Sequence, residues 1–162
     1  MRAETVIIGL GNDYLRDEGV GVRVVAELER RGQVPAGVEA LDLGTGGLAV
    51  LHALRGRRKA VLVDCAYMDE PPGAWRRFTP AEVESRRVGL RFSLHEGDVL
   101  QTLALSRQLG EGPAEVWLIG VQPASVEFGE GLSPALRDRF EEYMAAALAA
   151  AGGGPEACHV AH

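Results

Sequence analysis

The sequence has few cysteines, the residue on which disulfide-rich proteins depend. It contains only two cysteines, Cys65 in an apolar run and Cys158 near the C-terminus. They share no motif spacing, so we expect no disulfide framework and a reducing compartment. The chain opens directly into a predicted strand, without the charged and apolar regions of a signal peptide. We therefore expect the protein to be cytoplasmic.

Long apolar runs and excess positive charge are also absent. No run reaches the ~20 apolar residues that a membrane-spanning helix needs. Lys59 is the only lysine, and Lys and Arg together number 17 against 23 Asp and Glu, which gives a net charge of −6. Nucleic acids and anionic membranes bind basic surfaces, so we expect neither as a partner.

Apolar strands and amphipathic helices alternate along most of the chain, which has 162 residues, 46% of them hydrophobic. The predicted strands are residues 5–9, 38–43, 60–63, 74–78 and 115–122. The predicted helices are residues 19–32, 47–54, 98–109 and 133–151, and residues 86–94 are predicted to form a loop. This alternation predicts an α/β fold, a three-layer α/β/α sandwich around a twisted, mostly parallel five-stranded sheet. The strand at 74–78 is the predicted antiparallel exception.

The chain is expected to form a single α/β domain over residues 1–151. The sequence Gly152-Gly153-Gly154-Pro155 should end the last helix, and residues 152–162 are expected to form a flexible tail. The tail residues Cys158, His159 and His162 are assigned no role.

Two helix starts carry capping signals. Asp17 is predicted to be the N-cap of the helix at 19–32. Thr79 and Glu82 have the spacing of a capping box, which predicts a short helical turn after the strand at 74–78.

Polar side chains follow the ends of three predicted strands, where open α/β sheets bind their ligands. Glu18 follows the first strand, Asp42 ends the second and Asp64 ends the third. His95 precedes the helix at 98–109. A set of two carboxylates from these acids and the His95 imidazole supplies oxygen and nitrogen ligands. Such a set is typical of nickel, zinc, iron or manganese sites rather than of the thiolate sites that bind soft metals. Three protein ligands would leave coordination positions open for water or substrate.

Each of these residues also has a structural explanation. Glu18 is a first-turn acid, which the helix dipole favours, and His95 could be a partly buried histidine with a partner. Asp64 ends a Val-Leu-Val run, where an unpaired charge would be costly, and this cost favours a functional role.

Six blocks of sequence, in this order, resemble the hydrogenase maturation endopeptidases. They are Gly9-x-Gly11-Asn12; Asp17-Glu18-Gly19-Val20-Gly21; Asp42-x-Gly44-Thr45-Gly46-Gly47; Val63-Asp64-Cys65-Ala66; Ser93-Leu94-His95; and Ile119-Gly120-Val121-Gln122-Pro123 with Gly131-Leu132-Ser133-Pro134. The resemblance extends to about Ala151, and linked blocks are more specific than a single motif.

The resemblance implies an endopeptidase that removes the C-terminal extension of a nickel-iron hydrogenase large-subunit precursor after nickel insertion. The family's metal-contacting positions match Glu18, Asp64 and His95, which would contact nickel carried by the substrate. No tightly bound cofactor of the chain's own is expected. A further family motif near the cleft matches Asp42, Gly44, Thr45 and Gly46, which we expect to contact substrate. The substrate's nickel would polarise the scissile carbonyl or activate a water molecule.

Three alternatives remain open. Gly9-Leu10-Gly11-Asn12 also resembles the opening of peptidyl-tRNA hydrolases, but that family needs a histidine soon afterwards and none occurs here before His52. Gly9-x-Gly11 resembles a dinucleotide-binding fingerprint, although Tyr14 occupies the position of its third glycine. A chaperone that carries nickel without cutting would need the same ligands as the protease.

Overall fold

The computed structural model describes residues 2–85, 90–92 and 96–152. The strands are β1 (Thr5–Leu10), β2 (Val38–Gly44), β3 (Lys59–Tyr67), β4 (Trp75–Phe78), β5 (Arg91–Phe92) and β6 (Glu115–Val121). The helices are α1 (Val20–Arg30), α2 (Leu48–Leu54), α3 (Pro80–Ser85), α4 (Glu96–Gln108), α5 (Pro134–Arg137) and α6 (Phe140–Gly152). A 3-10 turn at Arg16–Gly19 precedes α1. None of the helices in these ranges is both long enough and apolar enough to span a membrane.

Five strands form a continuous sheet in the order β2-β1-β3-β6-β4. β1, β2, β3 and β6 run parallel to one another, and β4 is antiparallel to β6. These pairings confirm the predicted mostly parallel sheet and its antiparallel strand. β5 is a sixth strand that pairs antiparallel with the end of β3. The predicted loop was therefore wrong at Arg91–Phe92, while residues 86–89 and 93–95 lie outside the described ranges.

Helices cover both faces of the sheet. Ile7 and Val61 belong to a core cluster that includes residues of α1 and α6. Ile8 and Leu62 belong to a second cluster that includes residues of α2 and α4. Successive strand residues point to opposite faces, which is why neighbours in β1 and β3 divide between the two clusters. This arrangement confirms the three-layer sandwich.

Two elements differ from the prediction by more than two residues. β3 continues beyond Asp64 to Tyr67, because Asp64 and Cys65 pair with β6 and the next two residues pair with β5. The helix predicted at 133–151 is divided into α5 and α6. At the division, the Arg139 backbone N–H donates to the Leu136 carbonyl, three residues back, which interrupts the α-helical pattern.

One predicted cap is present and the other is not. The Thr79 backbone N–H donates to Glu82 Oε1 at 2.8 Å, and the Glu82 N–H donates to Thr79 Oγ1 at 3.2 Å, which confirms the capping box. Asp17 is not the N-cap of α1. That position is held by Gly19, because the Asp17 carboxylate binds a distant loop instead.

The start of α1 packs closely against β1 and β3 because glycines face the strand backbones. A Cβ on Gly21 would lie 2.0 Å from the Val63 carbonyl oxygen and 2.4 Å from the Leu10 carbonyl oxygen. Non-bonded atoms pack best at about 3.5–4 Å, so no side chain fits there. The 3-10 turn ahead of α1 is thereby fixed over the carboxyl edge of the sheet.

The substitution Gly21→Ala should destabilise the fold, because its methyl group overlaps two backbone carbonyls. We expect the free energy of unfolding to fall by about 3 kcal/mol, as measured by urea denaturation followed by circular dichroism. Gly152→Ala is the matched control, since a Cβ at Gly152 meets open space. Its unfolding free energy should stay within about 1 kcal/mol of the starting value. Equal stability of the two variants would contradict the packing argument.

Candidate functional site

The candidate site lies at the carboxyl edge of the parallel strands. β1 lies between β2 and β3 in the sheet, so the chain crosses over in opposite directions on either side of β1. Such a reversal opens a crevice above the strand ends, where α/β proteins bind their ligands. Glu18 lies in the 3-10 turn that follows β1, and Asp64 lies near the carboxyl end of β3.

The Glu18 backbone and the Asp64 side chain both lie close to Gly11, the residue directly after β1. A Cβ on Gly11 would lie 1.8 Å from the Glu18 carbonyl oxygen and 3.5 Å from Asp64 Oδ1. Gly11 also has φ +135°, which side chains rarely permit. A side chain here would enter the space between the Glu18 backbone carbonyl and the Asp64 carboxylate. The turn that carries Glu18 therefore lies close to the Asp64 side chain, and the role of the two residues as metal contacts stays a prediction.

The two acidic side chains differ in their exposure to solvent. Asp64 is 2% exposed, and its Oδ1 accepts a hydrogen bond from the Cys65 backbone N–H at 2.8 Å. Glu18 is half-buried, and burial raises the pKa of its carboxyl group. A cation bound beside these groups would favour their ionised forms.

Cys65 follows Asp64 in β3 and is fully buried. Burial raises the pKa of this thiol, and the negative charges of Asp64 and Glu18 raise it further. Because the thiolate is the reactive form of cysteine, this environment disfavours a role as nucleophile.

Tyr67 is a neighbour of the site that the sequence analysis missed. Burial raises the pKa of its phenol, with smaller contributions from Cys65 and Glu18. The Arg91 guanidinium lies 4.7 Å from the centre of the Tyr67 ring. No motif marks this pair, because the contact depends on the pairing of β3 with β5.

Asp17 anchors the turn that carries Glu18. Its carboxylate is fully buried and accepts four hydrogen bonds from the loop between β6 and α5. Oδ2 accepts from the backbone N–H groups of Ala124 and Ser125 and from the Ser133 hydroxyl, at 2.8, 3.0 and 2.8 Å. Oδ1 accepts from the Ser133 N–H at 2.8 Å. The turn and the loop are therefore held together by one side chain.

The turn after β2 lies directly beside Gly11. The Gly11 N–H donates to the Gly44 carbonyl at 2.7 Å, and the Gly44 N–H donates to Asp42 Oδ1 at 3.0 Å. Asp42 is exposed and stabilises its own turn, and Thr45 is exposed beyond it. Gly44 and Gly46 have φ of +55° and +83°. Substrate contact at Asp42, Gly44, Thr45 and Gly46 stays a prediction.

His95 lies outside the described residues, as do Cys158, His159 and His162. Within residues 2–85, 90–92 and 96–152, no three His, Cys, Asp or Glu side chains form a group that could hold a metal ion. The three-residue set Glu18, Asp64 and His95 therefore stays a prediction.

Comparison with known proteins gives consistent results. The family model described as "Hydrogenase maturation protease" matches residues 22–150. The Hydrogenase 2 maturation protease of Escherichia coli K12 is 33% identical over 146 residues, which cover 90% of this chain and 88% of that protein. The Hydrogenase expression/formation protein HupD of Thiocapsa roseopersicina is 34% identical over 90% of this chain, which spans 66% of that longer protein.

A solved structure supports the same assignment. The hydrogenase maturating endopeptidase HybD from E. coli superposes with a TM-score of 0.75 at 31% identity, over 93% of this chain and 91% of that one. The resemblance inferred from the six sequence blocks is thereby confirmed. The chain belongs to the hydrogenase maturation protease family, a family of peptidases.

Proposed function

We propose that this chain is an endopeptidase that removes the C-terminal extension from a nickel-iron hydrogenase large-subunit precursor after nickel has been inserted. The observation that supports this function most strongly is that the turn carrying Glu18 and the Asp64 side chain both lie against Gly11, at the point where the sheet reverses its crossover direction. Membership of the maturation protease family supports a hydrogenase precursor as the substrate.

In this proposal, nickel arrives with the precursor as part of the substrate. Glu18, Asp64 and His95 bind it at coordination positions that the precursor leaves open. The donor set suits nickel, since carboxylate oxygens and an imidazole nitrogen bind divalent metals of intermediate softness. A precursor without nickel lacks these bonds and binds more weakly. Because of this difference in affinity, the protease cleaves precursor that already contains nickel in preference to precursor that lacks it.

The proposed chemistry depends on nickel being bound at the carboxyl ends of the strands. Nickel at this edge of the sheet acts as a Lewis acid on the scissile peptide bond or on a water molecule. The turn at residues 42–46 lies beside Gly11 and presents backbone groups to an extended substrate. Cys65 takes no part as a nucleophile, because its thiol is kept neutral.

Asp17 contributes by fixing the position of Glu18. A metal ligand is effective when its orientation is set before binding, because less conformational entropy is then lost. Four hydrogen bonds to the Asp17 carboxylate, together with the Asp17 N–H bond to the Ser125 carbonyl at 3.0 Å, hold the 3-10 turn in place.

Removing a proposed ligand should abolish processing without unfolding the protein. Glu18→Gln, Asp64→Asn and His95→Ala should each lower the rate of extension removal from nickel-loaded precursor by about a hundredfold or more. Mass spectrometry of the precursor measures the loss of the extension, and circular dichroism checks the fold. Glu84→Gln, an exposed acid on α3, is the control and should process at the normal rate.

The same assay separates the proposed protease from its alternatives. Normal rates in all three folded ligand variants would contradict the site assignment. Nickel transfer by the unaltered protein without any loss of mass from the precursor would favour a nickel-carrying chaperone.

Loss of the Asp17 anchor should affect stability and processing together. Asp17→Asn should lower the free energy of unfolding by about 3 kcal/mol, because charge-assisted bonds to a buried group are lost. Processing should fall about tenfold or more at a temperature where the variant is folded, because Glu18 is no longer held in position.

A control with similar instability but an intact site is available at the other edge of the sheet. Lys59 is buried and its Nζ donates to the carbonyls of Ala150 and Ala151 at 3.1 and 3.2 Å. Lys59→Met should lose comparable stability and keep the normal processing rate of the folded protein. Equal processing by Asp17→Asn and Lys59→Met would show that Asp17 acts on stability alone.

A further inference from the structure

A second concave region lies along α1, separate from the crevice at Gly11. It is bounded by α1, by residues 130–132 and by the neighbouring parts of α5 and α6, and its volume is about 630 Å³. We name it the arginine groove after the five arginines that line it: Arg16, Arg23, Arg30, Arg31 and Arg137. Three glutamates also line the groove, so its formal charge is +2, five positive minus three negative. The whole chain carries −6.

Two of the five arginines are available to a ligand. The other three form ion pairs with N–O distances between 2.6 and 2.9 Å: Arg30 with Glu27, Arg31 with Glu27 and Glu141, and Arg23 with Asp13. Across the part of the chain that the structure describes, Arg16 and Arg137 form no ion pair. Guanidinium groups bind carboxylates through two parallel hydrogen bonds, so these two arginines suit acidic ligands.

The groove also has apolar walls. Leu132 and Phe140 are half-buried and line it between the charged side chains, together with Ala26 of α1. A ligand that fills the groove would place apolar groups against these residues and carboxylates against the free arginines. This combination fits a peptide segment with both acidic and aliphatic side chains better than a small inorganic anion.

Arg16 connects the groove to the candidate site. It begins the 3-10 turn that carries Glu18. Its φ is +46°, which non-glycine residues rarely adopt, and its backbone N–H donates to the Gly129 carbonyl at 3.2 Å. Such conformations persist only where neighbouring structure holds them. Because Arg16 both lines the groove and begins this turn, a peptide in the groove would reach the turn that carries Glu18.

We propose that the arginine groove binds an acidic and aliphatic segment of the substrate precursor, through Arg16 and Arg137 and through apolar contact with Leu132 and Phe140. The identity of the partner rests on the proposed function. The preference for carboxylates does not, since it follows from the charges and walls of the groove.

The first experiment measures this preference without any cleavage. The probe is a fluorescein-labelled peptide of alternating Glu and Leu, compared with the same peptide of Gln and Leu, and binding to the full chain is followed by fluorescence anisotropy at low salt. The Glu peptide should bind at least about tenfold more tightly than the Gln peptide. Arg16→Ala and Arg137→Ala should each weaken its binding about tenfold, and added salt should weaken binding further.

Arg58→Ala is the matched control for these variants. Arg58 is an exposed arginine just before β3, at the opposite edge of the sheet, and its only ion pair in the described residues is a 3.6 Å contact with Glu4. This variant should bind the Glu peptide with unchanged affinity. Absence of binding, equal affinity for the two peptides, or unchanged affinity in both groove variants would overturn the proposal.

The second experiment tests the precursor as the occupant. Arg137→Ala should raise the KM for nickel-loaded precursor about tenfold and leave kcat unchanged, because the groove binds substrate away from the reacting bond. An unchanged KM would overturn the assignment of the precursor to this groove. If the unaltered chain cleaves no precursor, the proposed function fails, while the peptide measurement still decides whether the groove binds carboxylates.

Discussion

The close approach of α1 to the strand backbones is the constraint on which the site depends. Gly9 and Gly21 leave room for the helix to lie directly against β1 and β3, and Gly11 leaves room for the next turn. These close contacts between backbones place the turn at Arg16–Gly19 over the carboxyl ends of the strands. The turn that carries Glu18 thereby lies close to the Asp64 side chain, although the two residues come from different elements.

Asp17 adds a second constraint on the turn at Arg16–Gly19, because it connects this turn to the loop between β6 and α5. Its buried carboxylate has enough hydrogen-bond donors to offset the cost of removing a charge from water. The same bonds position the loop that leads to the arginine groove. One buried acid therefore connects the two surfaces that we propose for substrate binding, and its neighbour in the sequence is the proposed metal ligand.

Local patterns in the sequence predicted most of the sheet, and they placed Glu18 and Asp64 near the carboxyl ends of their strands. β1, β2, β3 and β6 are apolar runs, and their alternation with helices is sufficient to predict a parallel sheet. β5 could not be predicted, since a two-residue strand has no periodicity. The division between α5 and α6 also lacked a local signal. The role of Asp17 was missed because its partner Ser133 lies 116 residues away, and local propensity favours the simpler role of a helix cap.

The glycines around the site also limit how a protein of this architecture can diversify. No residue with a side chain fits at position 11 or 21, so lineages that act on different precursors cannot adapt at these positions. The walls of the groove on the outer side of α1 face solvent and carry no such restriction. Substitutions that change which precursor is bound should therefore occur along that surface, while Gly11 and Gly21 stay glycine.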